Sequence, residues 1–224
     1  MGLNSRLLKI AEMIRRGDRV ADIGTDHAYL PVYLINSGIS PLVYACDVSD
    51  GPLLNAKSNI EKAGVSGIEL RKGSGFDALS PDDADTFVLA GMGGELIISL
   101  ILAAHWIKNP RYELILQPMT SVEDLRKFLL ENGFSIIEER AVCSMGRIYT
   151  VIKTKYFGEK QTCSPLFYYV GKLSDNIGDD EKVYIRRKLR ILKELAESIK
   201  SVETEKNRYN SLLQVIEEIN GLEI

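Results

Sequence analysis

Cysteine is scarce in this chain: three in 224 residues, Cys46, Cys143 and Cys163, with no CxxC pair among them. A count that is both odd and sparse excludes a disulfide framework and is expected of reduced thiols in a cytoplasmic protein. The two histidines, His27 and His105, are far apart and have no cysteine cluster beside them, so no metal is expected. No apolar run is long enough to span a membrane. Residues 1–9 lack the apolar stretch and cleavage site of a secretory signal. An excess of basic charge is missing too. The net charge of −3 argues against a uniformly basic nucleic-acid binder but leaves room for a local basic face. The dinucleotide fingerprint GxGxxG is also absent, because the next glycine after Gly24 is Gly38.

What is present suits one mid-sized α/β unit with a small addition: 45% hydrophobic and 26% charged residues, enough for an ordinary packed core. An amphipathic stretch over residues 5–16 carries Leu7, Leu8, Ile10, Ala11 and Ile14 on one stripe, with Gly17 as its expected C-cap. Strand-like segments follow at 19–23, 42–47, 67–72, 85–90, 113–117, 135–143 and 148–155. Helical segments at 28–37, 52–63, 95–104 and 121–132 separate the first six, except between the third and fourth. This alternation predicts a seven-stranded, mostly parallel sheet covered on both faces. The final pair leaves no room for a crossover helix, so the last strand is expected to run antiparallel.

The rhythm changes after Lys155. Residues 156–180 read as a connector with one short helical piece. From 181 onward apolar residues recur at intervals of three and four: Ile185, Leu189, Leu192, Leu195, Ile199 and Val202, then Tyr209, Leu212, Leu213, Ile216 and Ile219. A turn within 198–204 would let two antiparallel helices cover each other's seams. The expected division is 1–157 for the α/β domain and 158–224 for a helical, coiled-coil-like domain.

Four clusters carry chemistry. In Asp22-Ile23-Gly24-Thr25-Asp26, a strand turns at once into a helix, and Gly24 has no Cβ to keep a ligand off the backbone. Asp26 at the start of that helix repels a pyrophosphate and suits a ligand bearing an ammonium and a sulfonium. The bland alternative for Gly24 is a tight turn. Asp47, about twenty residues beyond the turn, is placed to accept both hydroxyls of a ribose; capping a helix is its other reading. In the loop 73–77, Phe76 is placed to pack on an adenine and Asp77 to accept from its amine, unless the loop is simply a glycine turn. Gly91-Met92-Gly93-Gly94 puts three glycines directly after an apolar strand, at the edge where open α/β sheets bind ligands.

These residues resemble a known family. Asp22-Ile-Gly-Thr-Asp-His-Ala-Tyr-Leu-Pro31, Asp47, Gly73-x-Gly75, Ala90-Gly-Met-Gly-Gly94 and Gln117-Pro118-Met119 are similar to the TrmK family. Those are bacterial tRNA (adenine-N1)-methyltransferases acting on the adenine at position 22. One departure is Ser74, where many methyltransferases carry an aspartate. The resemblance implies a class I Rossmann-like fold, a small C-terminal coiled-coil unit, S-adenosylmethionine as cofactor and tRNA as partner. It implies that Asp22, Gly24, Asp26 and His27 surround the methionine end of the cofactor. By the same resemblance, Asp47 and Val48 hold the ribose, Gly75, Phe76 and Asp77 the adenine, and Ala90, Gly91 and Met92 face the methyl group.

Adenine N1 already has a lone pair, so the reaction needs alignment and no general base. Asp26 is the candidate for stabilising the positive charge that passes to the base, or else it binds only the cofactor's amino group. Tyr29 is the candidate stacking partner for an extruded base, with packing on the sheet as its alternative. Arg186, Arg187, Lys188, Arg190 and Lys193 form a basic stretch, helped by Arg6 and Lys9. It is a phosphate-binding surface if the substrate is RNA and a solvated face otherwise. A monomer is expected, with a dimer through the C-terminal helices as the alternative. Three rival functions stay open: a methyltransferase for another substrate, a nicotinamide-dependent oxidoreductase, and a non-catalytic RNA-binding module of the same fold.

Overall fold

The computed structural model describes residues 2–222; Met1 and residues 223–224, the outer ends of the two expected domains, lie outside them. Helix α1 (Ser5–Met13) is followed by β1 (Val20–Ile23), α2 (Tyr29–Asn36), β2 (Val43–Asp47), α3 (Asp50–Ala63) and β3 (Ile68–Lys72). After a loop come β4 (Thr86–Met92), α4 (Gly94–Ala103), β5 (Glu113–Pro118), α5 (Val122–Glu131) and the hairpin β6 (Phe134–Ser144) and β7 (Arg147–Tyr156). Helices α6 (Pro165–Val170), α7 (Asp179–Ile199) and α8 (Lys206–Asn220) complete the chain.

The seven strands form one sheet in the order β3-β2-β1-β4-β5-β7-β6. The first five are parallel, and β7 runs antiparallel to both its neighbours. Alternation along each strand sorts side chains between two cores. On β4, Phe87 and Leu89 face α4 and α5, while Val88 faces α1 and α2. On β5, Leu114 and Leu116 go with the first set and Ile115 with the second. Strand order reverses between β1 and β4, which opens a crevice at the carboxyl ends of these strands.

Two features differ from expectation. Helix α1 stops at Met13, because Ile14 turns to extended backbone (φ −78°, ψ 132°) to bury its side chain. Gly17 (φ +90°) then forms a turn that donates to the Ile39 carbonyl at 2.8 Å, instead of capping the helix. Of the C-terminal seam residues, Leu213 on α8 and Val202 in the turn between α7 and α8 are exposed. The seam here is not closed by α7 and α8 alone. Ile185, Leu192, Leu212, Val215 and Ile219 share their core with Val170, Leu173 and Ala141 of the sheet's edge strand.

The attachment of α7 to the sheet is polar as well as apolar. β6 is an edge strand, and its Ala141 and Cys143 amides donate to Glu181 Oε1 (2.9 Å) and Asp180 Oδ2 (3.0 Å) in the first turn of α7. Beneath them Arg126 of α5 is fully buried. It donates through Nε and Nη2 to Glu139 Oε1 (3.0 and 2.6 Å) and through Nη1 to the carbonyls of Tyr168 and Tyr169 (2.8 and 3.0 Å). Glu139 also accepts from Thr150 Oγ1 and the Lys172 amide, so its charge is fully solvated by protein. Gly171 (φ +64°) has to be glycine here, since a Cβ would stand 1.9 Å from Glu139 Oε2.

Candidate active site

The carboxyl end of β1 sits between those of β2 and β4. β1 and β2 pair Ile23 with Cys46, which brings Gly24 beside Asp47. The Gly24 and Thr25 amides both donate to the Cys46 carbonyl (2.8 and 2.9 Å), pulling the chain sharply off the strand. Gly24 adopts φ +83°, and a Cβ there would lie 2.3 Å from Met92 Cε. The turn is thus fitted to the methionine at the end of β4. Ala28 (φ +53°) starts α2 in the left-handed region, and Asn59 Nδ2 donates to the His27 carbonyl (3.0 Å), pinning the turn to α3. The result is a cleft of about 360 Å³ bounded by Asp22, the 24–30 turn, Ala90, Gly91 and the first turn of α1.

Asp22 is almost fully buried at the floor of this cleft. Burial pushes its carboxyl up from 3.8 to about 6, against the pull of a Thr25 hydrogen bond and the charge of Arg6. Arg6 corrects an expectation: it does not join the outer basic face. Its guanidinium enters the cleft, donating to Gln117 Oε1 at 2.5 Å, and burial lowers its pKa. The same oxygen accepts from the Gly91 amide (3.1 Å), while Gln117 Nε2 donates to the Pro118 carbonyl (2.9 Å). Gln117 therefore locks Arg6, β4 and β5 together. Its signal in the sequence is a lone amide directly after the apolar run Leu114-Ile115-Leu116.

Other expected residues divide into two groups. Asp26 is exposed, with Oδ2 3.1 Å from His27 Nε2, and the His27 ring stacks on Tyr29 (centroids 5.1 Å apart, 25° between planes). Tyr29 thus packs on a ring at the mouth of the cleft, not on the sheet. Asp47 Oδ1 accepts from the Ser49 amide (2.8 Å), and Val48 is exposed beside it. Gly75 (φ +55°) and the exposed Asp77 lie in the loop after β3, whose Gly73 amide donates to the Asp47 carbonyl (3.0 Å). Phe76 departs from expectation. Its ring is buried against Phe87 and edge-on to Trp106, packed into the core instead of standing open to a ligand. Of the glycines at and after the end of β4, Gly91 (φ +76°) borders the cleft. Gly94 instead allows close packing on the start of α5, where a Cβ would lie 2.5 Å from the Ser121 carbonyl oxygen. Cys46 lies buried below the site, its thiol pushed up to about 12 by burial. Among the described residues no group of three or more His, Cys, Asp or Glu is arranged to hold a metal.

The basic stretch on α7 is not uniform. Arg186, Arg187 and Lys193 are exposed, and Arg190 lies 3.7 Å from Glu194. Lys188 is turned inward onto Glu123 of α5, and Lys9 is paired with Glu12 (2.6 Å). Arg187 borders a small groove with Met119, Thr120 and Ser121, the residues that follow Gln117 and Pro118.

The chain is similar to known proteins in both sequence and fold. Residues 3–152 match the family described as "Methyltransferase domain". The tRNA (adenine(22)-N(1))-methyltransferase of Bacillus subtilis (strain 168) is 36% identical over 151 residues, 67% of this chain and 63% of that protein. The alignment thus spans just under two thirds of that relative's length. The crystal structure of the B. subtilis M1A22 tRNA methyltransferase TrmK superposes with a TM-score of 0.85 at 28% identity, covering 99% of this chain and 98% of that one. Streptococcus pneumoniae Sp1610, crystallised in complex with S-adenosyl-L-methionine, superposes with a TM-score of 0.80 at 27% identity, covering 96% and 97%.

Proposed function

This chain belongs to the methyltransferase-domain family and, within it, to the TrmK family; from that premise we propose that it methylates N1 of the adenine at position 22 of tRNA, with S-adenosylmethionine as donor. The observation that carries the reading is the joint placement of Gly24 and Asp47 at neighbouring strand ends, above the buried carboxylate of Asp22. That set fits the donor. Gly24 and Gly91 leave bare backbone on both sides of the cleft, and acidic groups stand where its cationic end would lie. Asp47 Oδ2 has no partner within the described residues and is available to a hydroxyl.

In this reading Asp22, Gly24, Asp26 and His27 hold the methionine end, and Asp47 with Val48 the ribose. Gly75, Asp77 and the backbone of Phe76 border the adenine. When bound, the sulfonium supplies an electrophilic methyl group. The protein's part is orientation and exclusion of water, which can account for much of the lowering of the barrier. Ala90, Gly91 and Met92 shape the wall facing the methyl group, and Arg6, held by Gln117, closes the cleft from the side of α1. Asp26 is placed to balance the charge that passes to the base, with no proton to remove beforehand. The His27–Tyr29 stack offers a flat apolar surface for a base drawn out of its helix.

Residues 1–157 are the catalytic domain and 158–224 a helical domain that aids tRNA binding through Arg186, Arg187 and Arg190. The enzyme works as a cytoplasmic monomer. No helix among the described residues is long and apolar enough to cross a membrane. The test is mass spectrometry of tRNA nucleosides after incubation with S-adenosylmethionine, with fragment mapping of the modified base. Appearance of 1-methyladenosine at position 22 is expected. Methylation elsewhere, or of protein or metabolites in place of RNA, overturns the reading.

A further inference from the structure

A second and larger concavity, about 620 Å³, lies outside the cofactor cleft, between α2 and α3 and under the N-terminal segment. Its size is that of a ligand site. Tyr29, Tyr33 and Asn36 line it from successive turns of α2, and Asn59 and Lys62 line it from one face of α3. The Asn36 amide, the Tyr33 hydroxyl and the Lys62 ammonium make no hydrogen bond or ion pair within the described residues. Tyr29 borders both this groove and the cofactor cleft, so the two are continuous through its ring.

Building on the proposed function, we propose that this groove receives a nucleotide of the tRNA next to the target adenine. An aromatic ring offers a face to any base. Side-chain amides both donate and accept, as the polar edge of a base requires. A single exposed lysine at the groove's border suits one phosphate. A base must leave its stack for N1 to be reached, and that strands its neighbour. A second aromatic one helical turn from Tyr29 gives the stranded base a place to stack. The groove is therefore a positioning site for substrate that shares only Tyr29 with the lining of the cofactor cleft.

The test pairs protein variants with tRNAs carrying an abasic site at each nucleotide within two positions of the target. In the wild type, one such abasic tRNA raises KM roughly tenfold, as loss of one base–aromatic stack predicts, with kcat and cofactor affinity unchanged. Tyr33→Leu keeps the apolar packing but not the flat face. It raises KM for intact tRNA by a similar factor and makes the abasic site silent, while Tyr33→Phe restores the wild-type pattern. Should Tyr33→Leu fold poorly, Lys62→Ala at an exposed position reads the same groove through KM and a shallower salt dependence. A wild-type KM indifferent to every abasic site overturns the proposal, as do effects that multiply in the variant–abasic pair. If intact tRNA is not methylated at all by wild-type protein, the parent reading fails and the groove proposal falls with it.

Discussion

Replacing Asp22 by Asn should make the ligand-free protein more stable at alkaline pH while weakening its hold on the cofactor. The carboxyl titrates near 6 in the fold and near 3.8 when exposed, because burial penalises its charge more than Thr25 and Arg6 favour it. That difference corresponds to about 3 kcal/mol against the ionised form. The sign follows from proton binding. Between pH 3.8 and 6 the folded state holds a proton that the unfolded chain has released, so stability falls as pH rises through this window and levels off above it. Asn is neutral throughout and does not pay this penalty. Urea denaturation of both proteins from pH 4 to 8 should therefore give equal stabilities at the acid end and a variant ahead by about 2–3 kcal/mol at pH 8. Calorimetric titration with S-adenosylmethionine should show the variant at least tenfold weaker at pH 8. For the wild type, affinity should drop as pH falls below 6. A stability difference that stays flat across pH, or an Asn variant that binds normally, would refute this account of the carboxylate.

Four further outcomes are expected. Gly24→Ala forces a side chain onto φ +83° and against the tip of Met92; it should cost about 1–2 kcal/mol of stability and reduce cofactor affinity severalfold, read by denaturation and titration. Glu139→Ala strands the buried Arg126 charge and should cost about 3–5 kcal/mol in urea unfolding, with cofactor affinity retained wherever the protein is still folded. Glutamates at Arg186 and Arg187 should weaken tRNA binding and flatten its salt dependence while leaving cofactor binding unchanged. Lys188→Ala, by contrast, should alter stability only, because its ammonium is already paired with Glu123. Equal tRNA binding by the double glutamate variant at several salt concentrations would remove the phosphate role.

The sheet was legible because alternation is a local signal. Val88 set between Phe87 and Leu89 betrays a strand buried on both faces, and the short 145–146 turn leaves no room for a crossover. The site's main chain was legible for a similar reason, since Gly24 and Gly91 mark positive φ at strand ends. What escaped depends on partners distant in sequence. Arg6 looks like one more cation on a helix until Gln117, more than a hundred residues away, claims it. Phe76 stands in a loop at the end of the third strand, where an adenine is expected, whereas Trp106 and Phe87 bury its ring. Arg126 falls on the apolar stripe of α5 with Leu125, Leu129 and Leu130. That is the one local hint that a buried charge needed Glu139.

The carboxylates of Asp180 and Glu181 occupy two amides along the outermost strand of the sheet. An unguarded strand of that length invites pairing with a neighbouring molecule. Here the next segment of the same polypeptide satisfies those donors with acceptors that add no further strand, ending the sheet chemically as well as sterically. The helices that follow the catalytic sheet thus serve it twice. They offer arginines to solvent, and they cap two of the donors along that edge of the sheet.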